Sequence, residues 1–532
     1  MRVTPSSLRW LLVASIVVVA FLRGSGVAGG ADSFGYISQS DLWLKGTPRI
    51  SQPEGRRVPW PQGQWTLSPL AYRPSRGGDD IVPIVSPGFP LILAAFMFAG
   101  VHCAAKVVVP LSAGILVAVT FTIGRTVHSD RVGAAAAWLA ATSPIVLYMA
   151  MSAMSDMPAA AFWALAAYGC LRGSRVGAVL AGSSAALAIL IRPNLVPVSC
   201  FIALWLLSQD LRLATLRARV TRVVLFGVPV AIGCLAVAAI NNYLHGSVIT
   251  SGYGDPGRLF SIAHVPENAV RYTSWMMRSQ TPLAVIGLLA LWLPSASFIR
   301  ARVDMKGRSL LAVMSLAVVA CYLVYLPFDA WWYLRFLLPC WPALCVGMGR
   351  VLISPVRNDF DKIGRSLLVG IGIYGLWFAN AAGAFEIGRD EQRYVTIARL
   401  VLNATTPNSV IISTQHSGSV RYYGERMTLR FEVLSERWLD GAVAWFQKRG
   451  IHAYILLDDW EHDLFKKKFS EKNVLGRLDV AKVFEYKDHT STSLYDPLEP
   501  TRASEKPLVL TRENVPRSTI CEVAGRQPVA SW

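Results

Sequence analysis

The chain has 532 residues, 53% of them hydrophobic and only 16% charged, with a mean hydropathy of +0.40. A soluble chain carries about a quarter charged residues. The formal charge of +18 does not point to nucleic acid, because Lys and Arg are not gathered on one soluble face but recur between apolar stretches. These values exclude a soluble globular enzyme and a nucleic-acid-binding protein, and leave an α-helical polytopic membrane protein.

Arg2 and Arg9 precede the apolar run Trp10 to Leu22, and Val27-Ala28-Gly29 follows. This loosely resembles a cleavable signal peptide, but a retained first span over about 8–27 is the preferred reading. Asp32 comes next, in Gly30-Ala31-Asp32-Ser33-Phe34-Gly35-Tyr36, at a membrane boundary where an acid is costly unless it has a partner or a task. A long first external loop is expected over 28–106. Within it, 88–101 is introduced by Ser86-Pro87-Gly88-Phe89-Pro90 and is 14 residues long. A crossing needs about 20, so this segment is expected to lie along or dip into the outer interface.

Further spans are expected near 107–125, 133–151, 157–171, two short ones within 176–208 split at Pro193, then 223–241, 281–299, 310–327, 336–353 and 366–383. Four links between them are basic: Arg172 and Arg175; Arg212, Arg217, Arg219 and Arg222; Arg300, Arg302, Lys306 and Arg308; Arg350, Arg357, Lys362 and Arg365. The positive-inside rule places these links in the cytoplasm. The expected topology is about eleven spans in the cell's inner or plasma membrane, with the N-terminus cytoplasmic and the C-terminal part outside.

The transmembrane domain is expected over 1–385. After about 386 the apolar runs shorten to strand length, Val410-Ile411-Ile412-Ser413 and Ala453-Tyr454-Ile455-Leu456-Leu457, alternating with amphipathic stretches Glu391–Asn403, Ser435–Arg449 and Trp460–Phe469. That pattern predicts an extracytoplasmic α/β domain over 386–497. Residues 498–532 are polar and aperiodic and read as a disordered tail. The eight cysteines fit neither a zinc site nor a disulfide framework, and read as apolar packing residues.

Asp32 and Asp156 are the sharpest candidates, both at the outer face. Asp156, in Ser155-Asp156-Met157-Pro158, also suits an N-cap with proline in the first turn. Arg335, in Trp331-Trp332-Tyr333-Leu334-Arg335-Phe336-Leu337-Leu338-Pro339, is either a snorkelling arginine in an aromatic belt or a clamp for an anionic head group. Arg192, at a proline break, must find an anion or water. In the outer domain, Ser413-Thr414-Gln415-His416-Ser417-Gly418-Ser419 follows a strand and is either an ordinary polar turn or an anion-facing one. Trp438, Trp445 and Trp460 read as packing residues rather than a sugar platform.

Four stretches together resemble the C-type superfamily of integral-membrane glycosyltransferases, in particular the bacterial group of protein mannosyltransferases and aminoarabinose transferases. They are Asp32-Ser33-Phe34-Gly35-Tyr36 with the trailing Asp41-Leu42-Trp43-Leu44-Lys45-Gly46, Ser86–Pro90, Met154-Ser155-Asp156-Met157-Pro158, and Tyr333-Leu334-Arg335-Phe336-Leu337-Leu338-Pro339. The resemblance implies a sugar donor carried on polyprenyl phosphate, an extracytoplasmic glycan, lipid or protein acceptor, and inversion at the anomeric carbon. It makes Asp32 the general base, Asp156 a second acid, and Arg335, with Arg192 and Tyr333, the donor-phosphate side. Tyr36, His416 and Ser417 fall to the acceptor side. Relatives often carry two adjacent acids in the first motif, whereas Ser33 follows Asp32 here. No cofactor is fixed by the resemblance, and a divalent metal is left open. Two other classes remain: a transporter or flippase of lipid-linked glycans, which predicts paired halves with broken helices that the sequence lacks, and a lipid-linked glycan polymerase or ligase.

Overall fold

The computed structural model describes residues 4–209, 215–292, 301–353, 359–500 and 507–513. Arg212, Arg300, Arg357, Cys521 and the end of the 281–299 span fall outside the described residues.

The first helix, Pro5–Arg23, begins where Thr4 accepts a hydrogen bond from the Ser7 amide and Pro5 takes the first helical position, and it ends at Gly24, the signals expected at such boundaries. Four described helices are long and apolar enough to cross a membrane: Pro5–Arg23, Ala104–Val127, Leu216–His245 and Met305–Leu323. Two bent pairs, Asp130–Ala141 with Pro144–Met151 (56°) and Asp361–Ala381 with Ala384–Ala404 (53°), raise the number to six. The first bend falls where Pro144 starts a new helix, because proline cannot continue the preceding one. Other expected spans are short helices: Asp156–Leu171, Arg175–Ile191 and Val196–Ser208. The eleven expected spans therefore resolve into four to six long ones and a set of shorter apolar helices. The stretch expected near 336–353 is a tight 3-10 turn over Trp331–Cys340 followed by the helix Trp341–Leu352.

Helices in lipid gain little from burying apolar surface against one another, so close packing of small side chains has to hold them. Asp156–Leu171 buries Ala159, Ala160, Ala161, Ala164, Ala166 and Ala167. At Gly169 a Cβ would stand 2.7 Å from the Gly177 carbonyl oxygen, so only glycine lets this helix meet Arg175–Ile191 so closely.

Residues 28–106 are ordered. Asp32–Leu44 is a helix, Ile50–Ser51, Asp80–Pro83 and Tyr72–Pro74 form a small antiparallel sheet in that order, and Gly88–Phe98 is a second helix. At about 1.5 Å per residue its 11 residues span about 16 Å, half of a bilayer core.

The C-terminal part carries a six-stranded sheet in the order Met427–Leu429, Ser409–Ile412, His452–Asp458, Thr492–Pro500, Val480–Lys487, Leu508–Thr511. The first three strands are parallel to one another, Thr492–Pro500 is antiparallel to both its neighbours, and Leu508–Thr511 runs parallel to Val480–Lys487. The helices Gln392–Ala404, Leu439–Gln447 and Asp459–Phe469 fall where the amphipathic stretches predict. Two expectations are corrected. The sheet does not stop at 497: one strand runs to Pro500, and Leu508–Thr511, expected in the tail, is an edge strand. Cys103 is disulfide-bonded, not a packing thiol, while Cys170, Cys200, Cys234, Cys321, Cys340 and Cys345 are free.

The first loop and the C-terminal sheet share their cores. One cluster joins Val27, Phe34 and Tyr72 to Tyr394, Ile411 and Tyr423, and another joins Trp60 and Leu67 to Phe446, Phe465 and Phe469. Burying each of these large side chains contributes about 1.5–3 kcal/mol, so the loop is fastened to the domain by ordinary hydrophobic packing. Trp438 and Trp445 pack around Trp60, while Trp460 is half exposed.

Candidate functional site

Asp32 and Asp156 are each the first residue of a helix, where the unpaired amides and the helix dipole favour a carboxylate. Ser155, not Asp156, is the N-cap residue. This frees the Asp156 carboxylate to face Arg192, whose Nη2 lies 2.6 Å from Oδ1. Arg192 sits where Pro193 breaks the run between two apolar helices, and the break turns its guanidinium toward that acid. Arg335, in the tight turn Trp331–Cys340, donates from Nη2 to Asp32 Oδ2 at 3.0 Å, and its Nε lies 4.0 Å from Asp156 Oδ1. Two acids and two arginines thus form one chain, Asp32–Arg335–Asp156–Arg192.

Burial is uneven along it. Asp156 is 2% exposed and Arg335 8%, while the Asp32 side chain is 36% exposed. Asp32 is thus a half-buried, ion-paired group at the open end of the chain. Asp156 Oδ2 and Arg335 Nε are buried without hydrogen-bond partners. Buried polar atoms of this kind are costly unless something else satisfies them.

Aromatic rings hold the guanidinium groups in place. Arg335 lies 5.0 Å from the Tyr333 ring centre and 5.4 Å from Phe336, and Arg192 lies 5.2 Å from Phe336, within cation–π range. Tyr333 stacks on Phe328 at 4.2 Å. Its contact with Arg335 is through its ring face. Tyr36 is buried, its hydroxyl 2.8 Å from Ser155 Oγ and its ring edge-on to Phe89. Burial raises its phenol well above the ordinary value, so it stays neutral. Through Tyr36 the first motif touches both the Ser86–Pro90 and the Met154–Pro158 motifs, and through Arg335 the fourth joins them.

His416 and Ser417 stand elsewhere. Both are fully buried in the C-terminal domain. His416 Nε2 lies 3.0 Å from Asp458 Oδ1, and Ser417 Oγ bridges the Leu70 amide and the Thr414 carbonyl. Their bonds help tie the domain together, and His416 Nδ1 is buried without a hydrogen-bond partner. The expected polar turn is the seven-residue helix Ser417–Tyr423. It packs on the first-loop helix: Tyr422 donates to Asp41, and the Tyr423 hydroxyl accepts from the Ala28 amide at 2.8 Å.

Sequence reasoning missed Tyr322, whose hydroxyl accepts from Arg192 at 3.4 Å and whose ring stacks on Phe336 at 4.9 Å. A tyrosine inside the apolar span 310–327, which also holds Tyr325, was the available signal. Asp390 and Glu391, beside Arg335 in space, gave no motif.

The donor set does not suit a divalent cation. It offers two carboxylates, each already paired with a guanidinium, and among the described residues no group of three or more His, Cys, Asp or Glu is placed to hold a metal ion. Harder cations take more oxygen ligands than this.

No family model matches the sequence, and no curated protein matches it. Solved structures do. ArnT from Cupriavidus metallidurans bound to undecaprenyl phosphate aligns at a TM-score of 0.53 and 12% identity, over 92% of this chain and 99% of that one. The apo form of the same protein aligns at 0.54 and 12%, over 92% and 98%. The Archaeoglobus fulgidus oligosaccharyltransferase in complex with Zn and sulfate aligns at 0.50 and 11%, over 91% and 73%.

Proposed function

We propose, from the premise that this chain has the C-type membrane glycosyltransferase fold, that it transfers a sugar from a polyprenyl-phosphate donor to a hydroxyl of an extracytoplasmic glycan, lipid or protein. The observation that carries this reading is the convergence of three separate motifs, with Arg192, on the chain Asp32–Arg335–Asp156–Arg192. In the proposed reaction Asp32 takes the proton of the acceptor hydroxyl, which is a poor nucleophile until a carboxylate does so. The acceptor oxygen bonds to the anomeric carbon as the bond to the phosphate oxygen breaks, and polyprenyl phosphate leaves with the bonding pair. Direct displacement inverts that carbon.

Arg335 stabilises the leaving phosphate, its buried and unpaired Nε being a donor to offer it. Asp156 holds Arg335 in place, and Arg192 neutralises the remaining charge. Tyr333 is a positioning residue that fixes the guanidinium plane. The site faces outward in this reading, and the disulfide-bonded Cys103 at the end of the first loop suits an oxidising compartment.

Purified protein given a synthetic polyprenyl-phosphate sugar and envelope extract is expected to release polyprenyl phosphate and to label an acceptor, read by mass spectrometry. Arg335→Lys keeps the charge but loses the planar fork, and is expected to weaken donor binding. No donor consumption by well-folded protein, across mannosyl, arabinosyl and aminoarabinosyl donors, would count against the reading.

A further inference from the structure

A cavity of about 280 Å³ opens beside Arg335, lined by Ser33 and Met154 from the two acid motifs, Tyr148 and Trp332, and Asp390 and Glu391. Trp332 is 39% exposed, and its ring lies parallel to that of Tyr148, 6° between planes. Glu391 Oε2 is buried and has no hydrogen-bond partner. The carboxylate is let in by Gly29, where a Cβ would stand 2.2 Å from that oxygen and 2.5 Å from the Tyr394 ring. Burial pushes the Glu391 carboxyl up to about 7. Asp390 pairs with His489 at 3.2 Å.

We propose that this cavity seats a neutral, hydroxyl-bearing sugar ring of the acceptor, stacked on Trp332 with its hydroxyls on Glu391 and Asp390. The proposal rests on the transfer reading above and names the acceptor subsite for it. Three features favour a sugar ring over the donor's phosphate. An open indole face matches the C–H face of a sugar ring. The carboxyl groups of Asp390 and Glu391 in the lining oppose the attraction of Arg335, which also lines the cavity, for a phosphate dianion, and accept hydroxyl donors. Ser33, in the lining of the cavity, directly follows Asp32 in the chain, so a ring seated here brings a hydroxyl toward the base.

The test uses the full-length protein in nanodiscs, with methyl α-mannopyranoside, methyl β-galactopyranoside and methyl α-arabinofuranoside as probes in saturation-transfer NMR. At least one glycoside is expected to receive saturation on its ring protons. Trp332→Ala and Glu391→Gln are expected to weaken that binding by about tenfold, the size of one lost stacking or hydrogen-bond contact. Trp332→Phe is expected to keep part of it, and Gly29→Ala, which displaces Glu391, to behave like Glu391→Gln. No saturation with any of the three glycosides, or unchanged binding in Trp332→Ala and Glu391→Gln, overturns the proposal. Acceptor KM in the transfer assay separates the two readings. Glycosides that bind at Trp332 while no donor is consumed uphold the subsite and sink the transfer reading. Wild-type transfer with unchanged acceptor KM in both variants does the reverse.

Discussion

Asp32→Asn separates donor binding from chemistry. Asp32 holds Arg335 through a 3.0 Å ion pair, so in the proposed reaction it competes with the donor phosphate for the same guanidinium. Two unit charges at that distance attract by about 5 kcal/mol at an effective dielectric of about 20. Asp32 is a third exposed, and solvent screening reduces the net value to about 1 kcal/mol. Removing the charge while keeping the shape frees Arg335, and donor binding is expected to tighten by about fivefold. Transfer is expected to fall at least about 10²-fold, because asparagine accepts no proton.

Both quantities can be read from one preparation. Titration calorimetry with polyprenyl phosphate in detergent gives the first, and single-turnover transfer at saturating donor gives the second. Near-normal turnover by Asp32→Asn would refute the base assignment. Weaker phosphate binding would refute the competition, since it would mean that Asp32 supports Arg335 more than it occupies it.

The Asp156–Arg192 pair is buried, so Arg192→Gln or Asp156→Asn alone leaves an uncompensated charge and is expected to destabilise the protein by about 3–5 kcal/mol, with the double variant recovering most of it in thermal unfolding; additive losses would contradict a paired role. In the C-terminal domain, burial raises the Asp458 carboxyl, but His416, Arg393 and Thr492 outweigh it and hold the group below the ordinary carboxylate range. A depressed value stabilises the fold above the unfolded pKa of about 3.9 and is lost as pH falls. Asp458→Asn should therefore lower the unfolding temperature at pH 7 and lower it progressively less as pH falls below about 4, and an effect independent of pH would contradict the network. Single cysteines at Asp255 and Gly450, in a background without reactive native thiols, are expected to label from outside and one at Gly173 only after permeabilisation. The reverse for Gly173 and Asp255 would overturn the proposed topology.

Much of the site was legible because its residues break a local rule. Asp32, Asp156, Arg192 and Arg335 are charges at the ends of apolar stretches, and such residues are rarely placed there without partners. Who pairs with whom was not legible. Arg192 was expected with the donor phosphate, yet it is joined to Asp156, a contact between helices that periodicity cannot specify. His416 and Ser417 show the opposite case: a polar run after a strand looks exposed, and nothing local reveals that both side chains are buried, His416 against Asp458 and Ser417 between Leu70 and Thr414. The C-terminal strands at 409–412 and 452–458 were readable as apolar runs. Val480–Lys487 and Leu508–Thr511 were not, because the first is only half-buried and the second is an edge strand, and both carry mixed side chains. Helix lengths blurred the span count in the same way, since packing rather than lipid thickness decides where a short apolar helix ends.

The contact between Tyr423 and Ala28 joins residues 395 positions apart in the chain, and it carries a consequence for biosynthesis. Synthesis delivers Asp32 early and the helix Ser417–Tyr423 late, yet that helix fastens the segment just before Asp32 and, through Tyr422, the far end of the first-loop helix. A nascent or prematurely ended chain therefore has its acids threaded into the membrane but not aligned. A stretch translated late acts as the latch that arms one translated early.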